Sequence, residues 1–451
     1  MSESASLINQ IKRPTAKMFR RFFVKRRQIS DGLFESEWQD LSQYVKRWGS
    51  FKWSIDTPRF GDVKFHNANL RVLNIDGTFN PNDNADSFWF GFGDLQRSLV
   101  KIEAGFIHQT QSGGVWTNTE FPTNTTFWRG IISGDIGMNG TGELVLPLKP
   151  ALQAFRDFPA SDLDGFTSTG ISAGGFFAIL RDQTDGSGNF VFRPHIGDGT
   201  STDWNISTGN ALYANLNTSS AEDLIALNCW DVSTRLAEAE QYIPYVNNKG
   251  TFIWKSKNPT TTVAYEFHGL GSQQYRTYGI TIKNIIDFGK RLTSFYSRVA
   301  VKYEKDDTNS SFAVTALAFA VSGSNTAWNL GKRTFRTDNF WLTTSTADSV
   351  AGAIFDEVSS QKNEIHFVST FVPELDLFDR VSITYDATDL VTARSLWDLN
   401  DWASSPSDIV TSLIWDDSRG DGIVLNSTNF KILSINHNLD NFESTFICKE
   451  I

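Results

Sequence analysis

Apolar and polar residues alternate along most of this chain, with a period of two rather than a helical stripe. In LVKIEAGFI (99–107), Val100, Ile102, Ala104 and Phe106 fall on one face and Lys101 and Glu103 on the other, the signature of a half-buried strand. VKFHNANLRVLNIDGTF (63–79) is strand-like and breaks at Asp76-Gly77, a turn dipeptide because glycine accepts positive φ. FWRGIISGDIG (127–137) continues the pattern, with Gly130, Gly134 and Gly137 allowing the sharp bends that barrel corners need. The C-terminal third predicts a strand over 297–305 (Val299, Val301 and Tyr303 on one face), a helix over 347–361, and strands over 364–371 and 377–386 (Val381, Ile383 and Tyr385 on one face). A final strand pair, FKILSINHNLDNFESTFICKEI (430–451), runs to the last residue. An end used as a strand suits a closed, self-pairing barrel.

Helical spacing is rarer. SEWQDLSQYVKRWG (36–49) predicts a helix capped by Ser36, with Trp38, Leu41 and Val45 on one face and Gly49 as its stop. AEDLIALNCWDVSTRLAEAEQY (221–242) predicts another, with Leu224, Leu227 or Asn228, Val232, Leu236 and Ala239 near one stripe. It precedes a hairpin over 245–257 that turns at Asn248-Lys249-Gly250. Between the two β-rich regions, 158–222 is dominated by Gly, Ser, Thr, Asn and Asp and reads as short hairpins with long loops. No repeat of 20–50 residues recurs often enough for a propeller or solenoid.

Composition sharpens this picture. A chain of 451 residues exceeds what one core usually serves. Its 36 Phe and 14 Trp against 3 Met favour strands over helical bundles. Cys229 and Cys448 are too few for a disulfide framework and lack zinc spacing, so both are expected as buried small hydrophobes. There is no apolar run of about 18 residues to span a membrane and no apolar core of a secretory signal after the first charges, so assembly in a cytoplasm is expected. The sequons at Asn124, Asn139, Asn205, Asn217, Asn309 and Asn426 then belong to an ordinary polar surface. Charge is unevenly placed: residues 1–47 hold ten Lys/Arg against five Asp/Glu and the remainder 31 against 46, a basic head of +5 before a body of −15. An acidic body argues against general nucleic-acid affinity. The head, KRPTAKMFRRFFVKRR (12–27), reads as an arm docking on an acidic neighbour.

Candidate chemistry is thin. His66, His108, His195, His268, His366 and His437 stand singly, without the H-x-x-x-H or H-E-x-x-H spacing of a metal site. No G-x-S-x-G elbow is present, and GFGD (91–94) lacks the rest of a dinucleotide loop. The acidic loops 83–88, 185–189 and 416–423 offer oxygens of the kind calcium takes, yet none has EF-hand spacing. Arg419-Gly420-Asp421 is common loop chemistry. Two carboxylates suffice for glycoside hydrolysis, and 51 Asp/Glu always supply pairs, so that signal is unspecific. Trp116, Trp128, Trp204 and Trp254 could stack on sugars, but in β-rich chains tryptophan more often anchors a core or interface. No catalytic, cofactor or metal residue is therefore assigned, and no enzyme activity is expected.

The order of segments carries more than any residue. LRVLNIDGTFNPND (70–83), LVKIEAGF (99–106) and FWRGIISGDI (127–136) resemble the opening barrel of the tail-tip or baseplate hub proteins of tailed bacteriophages. LFDRVSITY (377–385) and 430–451 are similar to the close of that family's second barrel, and the helix before YVNNKGTFIWK (245–255) looks like its helix-then-hairpin unit. The resemblance implies a mainly β fold with two tube-type β-barrels, divided as a basic N-terminal arm (1–45), a first barrel (46–157), a loop-rich α+β insert (158–282) and a second barrel (283–451). It further implies a homotrimeric ring at the virion tail tip that adapts a sixfold tail tube to a threefold tip. The implied partners are the distal tail protein or tail tube, the tape-measure protein and central fibre or tip proteins, with DNA passing unbound and no membrane span. The alternative is a neighbouring tail protein that binds host-surface carbohydrate through the loops of 158–221.

Overall fold

The computed structural model describes residues 17–451 apart from 29, 56–62, 80–87, 89–91, 93–96, 113–114, 122–125, 139–141, 165–172, 207–226, 248–249, 258–260, 270–280, 291–295, 306–313, 322–332, 339–343, 360–361 and 387–422. The described chain is mainly β. Its first half gives β1 (Lys17–Lys25), β2 (Gln39–Asp40), β3 (Val45–Arg47), β4 (Ser50–Ile55), β5 (Val63–Phe65), β6 (Ala68–Leu73), β7 (Leu99–Ser112), β8 (Val115–Phe121), β9 (Thr126–Ile132), β10 (Gly137–Met138) and β11 (Glu143–Pro150).

The first sheet runs β2-β1-β7-β9-β11-β6-β3. Its two end strands, β2 and β3, are consecutive in sequence, joined by Leu41 and a single 3-10 turn at Ser42–Tyr44. The sheet thus curls into a ring of six staves, the sixth split in two, and leaves little free edge. Val100, Ile102, Ala104 and Phe106 are buried as their alternation requires, against Phe22, Val24, Leu70, Val72, Leu146 and Leu148.

Two expectations fail here. The segment 36–49 is not a helix: Asp40 Oδ1 accepts from Ser42 N, and Leu41 N donates to the Phe22 carbonyl. An aspartate turn and a sheet edge in need of a partner override the helical spacing. Within the expected basic arm, Lys17–Lys25 is a full stave paired along its length with β7. Its charges find partners within the fold, Arg21 with Glu103 and Glu120 of the same sheet, and Arg20 over the rings of Trp48 and of Phe442, the latter in the turn between β22 and β23.

The middle of the chain forms a compact α+β unit: α1 (Gln153–Asp157), α2 (Ala173–Asp182), β12 (Trp204–Asn205), α3 (Cys229–Glu240), β13 (Tyr242–Val246) and β14 (Phe252–Ser256). The expected hairpin is β13–β14, with Gly250 at φ +76°. The expected helix at 221–242 is α3; it begins later because Asn228 caps it, exchanging hydrogen bonds with Asp231, and 221–226 lie outside the described residues. α2 was hidden by its glycines, but Phe176, Phe177 and Leu180 bury it under β14.

The remainder contains β15 (Tyr265–His268), β16 (Ile282–Lys290), β17 (Arg298–Lys305), β18 (Val314–Val321), β19 (Thr334–Asp338), α4 (Thr344–Val358), β20 (Asn363–Thr370), β21 (Arg380–Asp386), β22 (Val424–Asn438) and β23 (Glu443–Glu450). The second large sheet runs β15-β21-β22-β23-β20-β16. Its end strands also meet, since Thr281 N donates to the His268 carbonyl at 2.9 Å. It too has six staves. It starts at Tyr265, earlier than the expected boundary at 283, and 298–358 leave it to form a separate sheet, β18-β17-β19, covered by α4. The second barrel is therefore interrupted by a second α/β unit, which touches α3 through Thr337 and Glu238. β4, drawn from the first half, pairs with the end of β22. The Ile432/Ser434 bulge bends β22 so that it can pair with β21 first and β4 afterwards.

Candidate functional site

Two features stand out against this scaffold: the seam where the ringed sheets join, and a cleft beside the first of them. The seam is built from β4, β9, the turn after β20, and β22. Phe127 lies edge-on to Phe51 at 5.6 Å, to Trp53 at 6.0 Å and to His437 at 5.1 Å, and Phe371 approaches both Phe127 and His437. Such edge-to-face rings add to their burial. His437 Nδ1 lies 2.7 Å from Ser444 Oγ. Burial pushes its imidazole down to about 3, so at neutral pH it is an uncharged packing group. Across the seam Trp48 N and Gly49 N donate to the two oxygens of Asp440, and Leu439 N donates to the Gly49 carbonyl.

The cleft encloses about 880 Å³ between the first sheet and the α+β unit. Trp38 and Arg129 form its floor. Lys25 Nζ and Arg129 Cζ lie 5.2 Å from the Trp38 ring and Lys101 Nζ lies 5.3 Å away, three cations on one aromatic residue. The Arg129 side chain is 5% exposed; its Nη2 donates to Asp198 at 2.9 Å while its buried Nε has no partner among the described residues. Burial lowers its basicity, opposed by Asp198. Lys25 is lowered as well, first by burial and then by Arg129.

The loop opposite is set by Asp203, whose Oδ2 accepts from Asp198 N and Thr200 N and so presents Asp198 to the arginine. Gly250 is required there, because a Cβ at its φ of +76° would sit 2.6 Å from Arg129 Nε. His195 lines the same cleft; burial, helped by Arg27, brings it down to about 4, and its Nδ1 has no partner among the described residues either. Arg97 at the mouth holds φ +69°, strained for a residue with a side chain. The cleft can therefore bind an anionic group, since the buried Arg129 Nε–H without an acceptor among the described residues favours one.

The residues weighed from sequence fall elsewhere. Trp128, Trp204 and Trp254 are core residues, and Trp204 stacks on Phe155, so none of the three presents a sugar platform. The Trp116 side chain lies outside the described residues. Asp185 closes its own turn by accepting from Ser187 N and Asn189 N, which uses the carboxylate a calcium ion would need. The acidic loops at 83–87 and 416–422 lie outside the described residues. Among the described residues no group of three His, Cys, Asp or Glu could hold a metal, and no helix is long and apolar enough to cross a membrane. Cys229 and Cys448 are buried free thiols, and burial raises Cys229 to about 12. Sequence reasoning missed the cleft because Arg129 and Trp38, far apart in the chain, carry no motif.

No family model and no curated protein sequence matches the chain. Among solved structures, the tail protein from Neisseria meningitidis MC58 matches with TM-score 0.50 at 10% identity, over 96% of each chain. The 43 kDa tail protein of prophage MuSo2 from Shewanella oneidensis matches at 0.47 and 10% identity, over 95% of this chain and 98% of that one. Prophage tail protein gp18 from Listeria monocytogenes EGD-e matches at 0.44 and 10%, over 95% and 94%. The chain thus has, over 96% of its length, the fold of the Neisseria tail protein, and the resemblance to tail proteins drawn from its sequence holds at the level of the fold.

Proposed function

We propose that this chain is a structural protein of a phage-type tail, a hub at the tail tip whose three copies close into a ring. The observation that carries this reading is the pair of six-stave sheets fused in one chain. Three copies would present six comparable β rings around an axis, so a threefold assembly can meet a sixfold tube. The full-length fold match to a tail protein supports it. So does the seam, which locks the two rings rather than leaving them on a flexible linker. In this reading the ring contacts the tail tube or distal tail protein on one side and central fibre or tip proteins on the other. The tape-measure protein and then DNA pass through its lumen, and the acidic body keeps phosphates from lodging there. Assembly takes place in the host cytoplasm, and the protein performs no catalysis. Native mass spectrometry of the purified chain tests this: three copies of the 50.5 kDa subunit are expected, and a monomer at every concentration overturns the ring.

A further inference from the structure

The floor of the cleft beside the first ring sets the strongest constraint on what the cleft takes. Lys25, Lys101 and Arg129 crowd one indole, that of Trp38. Among the described residues, Asp198 meets Arg129 and Glu103 meets Lys101, and Glu103 is shared with Arg21. Burial and then the neighbouring Arg129 lower the basicity of Lys25, and an anion beside the two would offset both effects. The walls narrow the class further. They carry the carboxylates of Glu35, Asp157, Asp185 and Asp198, which repel a polyanion but accept hydrogen bonds from hydroxyl groups. His195 is a neutral imidazole, and its buried Nδ1, with no partner among the described residues, suits a hydroxyl, which can give or take a hydrogen bond. At the rim the Phe190 ring is 40% exposed and Arg193 holds one of its faces, so the other can cover the apolar face of a small ring. One carboxylate among several hydroxyls, on a ring with an apolar face, is the chemistry of an acidic sugar. We propose that the cleft is a binding site for a saccharide bearing a single carboxylate: the carboxylate lies against Lys25 and Arg129, the hydroxyls against the wall carboxylates and His195, and the apolar face of the sugar against Phe190.

Size and charge agree with this occupant. The volume of about 880 Å³ falls within the roughly 300–1,000 Å³ of small-ligand sites and admits a short oligosaccharide. Arg97, exposed at the mouth, is placed to draw a carboxylate inward. A nucleic acid or a sulfated polymer fits poorly, because each further negative charge meets a wall carboxylate. An aspartate-rich peptide could satisfy the floor but offers no hydroxyls to the walls. The inference does not rest on the ring: every residue in it belongs to one chain, so binding is expected of a monomer and of a trimer alike.

Isothermal titration calorimetry of the full chain tests it, with a panel of short oligosaccharides that each end in a uronic or a nonulosonic acid and are each paired with the carboxyl-reduced form. Saturable binding of at least one acidic member is expected, roughly tenfold weaker for its reduced form and roughly tenfold weaker to the Lys25→Gln chain, the loss of one charge-assisted hydrogen bond. Arg97 and Phe190 are exposed, so Arg97→Gln and Phe190→Ala keep the test readable if Lys25→Gln disturbs the first sheet; near-UV circular dichroism checks the fold of each, and both are expected to bind more weakly. No saturable binding by any acidic member, equal binding by the reduced forms, or unchanged affinity in both Arg97→Gln and Phe190→Ala overturns the proposal. Tighter binding of an aspartate-rich peptide, of heparin or of inorganic phosphate than of every acidic sugar overturns it as well. Failure of the ring is separately visible, as a monomeric native mass in a chain whose cleft still binds the sugar.

Discussion

Glu357, near the end of α4, provides the sharpest single test of how the second α/β unit is fixed to its barrel. Its carboxylate accepts from Lys431 on β22 at 2.6 Å and from Lys449 on β23 at 2.8 Å, and its backbone carbonyl accepts from Lys449 as well. All three side chains are nearly buried, 13%, 10% and 7% exposed. Burial alone would raise the carboxyl, but the two ammonium groups override it and hold it at about 2. Lys431 is itself lowered, first by burial and against the pull of Glu357, so the cluster as a whole gains far less than the carboxylate does.

Glu357→Gln would leave two ammonium groups buried with no anion. Removing one partner of a buried ion pair costs about 3–5 kcal/mol, and holding a carboxyl at about 2 rather than its ordinary 4.5 corresponds to roughly 3 kcal/mol. The two estimates agree. Because the folded value is depressed, this stability is present above pH 4.5 and drains as pH falls toward 2. Urea titration at pH 7 should therefore show Glu357→Gln less stable by about 3–5 kcal/mol, with the difference from wild type shrinking between pH 4.5 and pH 2. Replacing all three residues with methionine should recover much of the loss. A Gln variant within about 1 kcal/mol of wild type would refute the argument, since the cluster would then behave as a surface ion pair.

Phe127→Ala, which empties the centre of the seam, should lower stability by about 3–5 kcal/mol in one cooperative transition; two separated transitions would show that the rings fold independently. Deleting residues 1–30 removes the β1 stave with Phe22 and Val24 and should abolish the cooperative unfolding signal seen by near-UV circular dichroism. His437 is held neutral by burial with its value at about 3, so it adds stability above pH 6.5 that is lost as pH falls; His437→Phe should flatten the decline in Tm between pH 6.5 and 4. Gly130→Ala puts a Cβ 2.1 Å from both the Lys149 carbonyl and the Trp128 ring, and differential scanning calorimetry should show a lower Tm.

Strands of clean alternation were legible because burial of one face is a local pattern: β7, β17 and β21 lie where their periods put them. Other features depended on distant partners. β1 looked like a basic arm because Arg20 and Arg21 are charged, yet Glu103, Glu120, Trp48 and Phe442, remote in sequence, absorb them. The helical spacing of Trp38, Leu41 and Val45 was real but lost to ring closure, in which β2 and β3 complete opposite edges of one sheet. The cleft was illegible for the same reason. Trp38, Arg129 and Asp198 come from three separate stretches of chain, and only the folded sheet brings them together.

Assembled particles containing the chain, imaged by electron cryomicroscopy and reconstructed without imposed symmetry, test the central claim most directly. Six β rings around an open channel, two from each of three copies, are predicted. A single copy lying off the tail axis, or a subunit whose two sheets sit at unrelated radii, would contradict it.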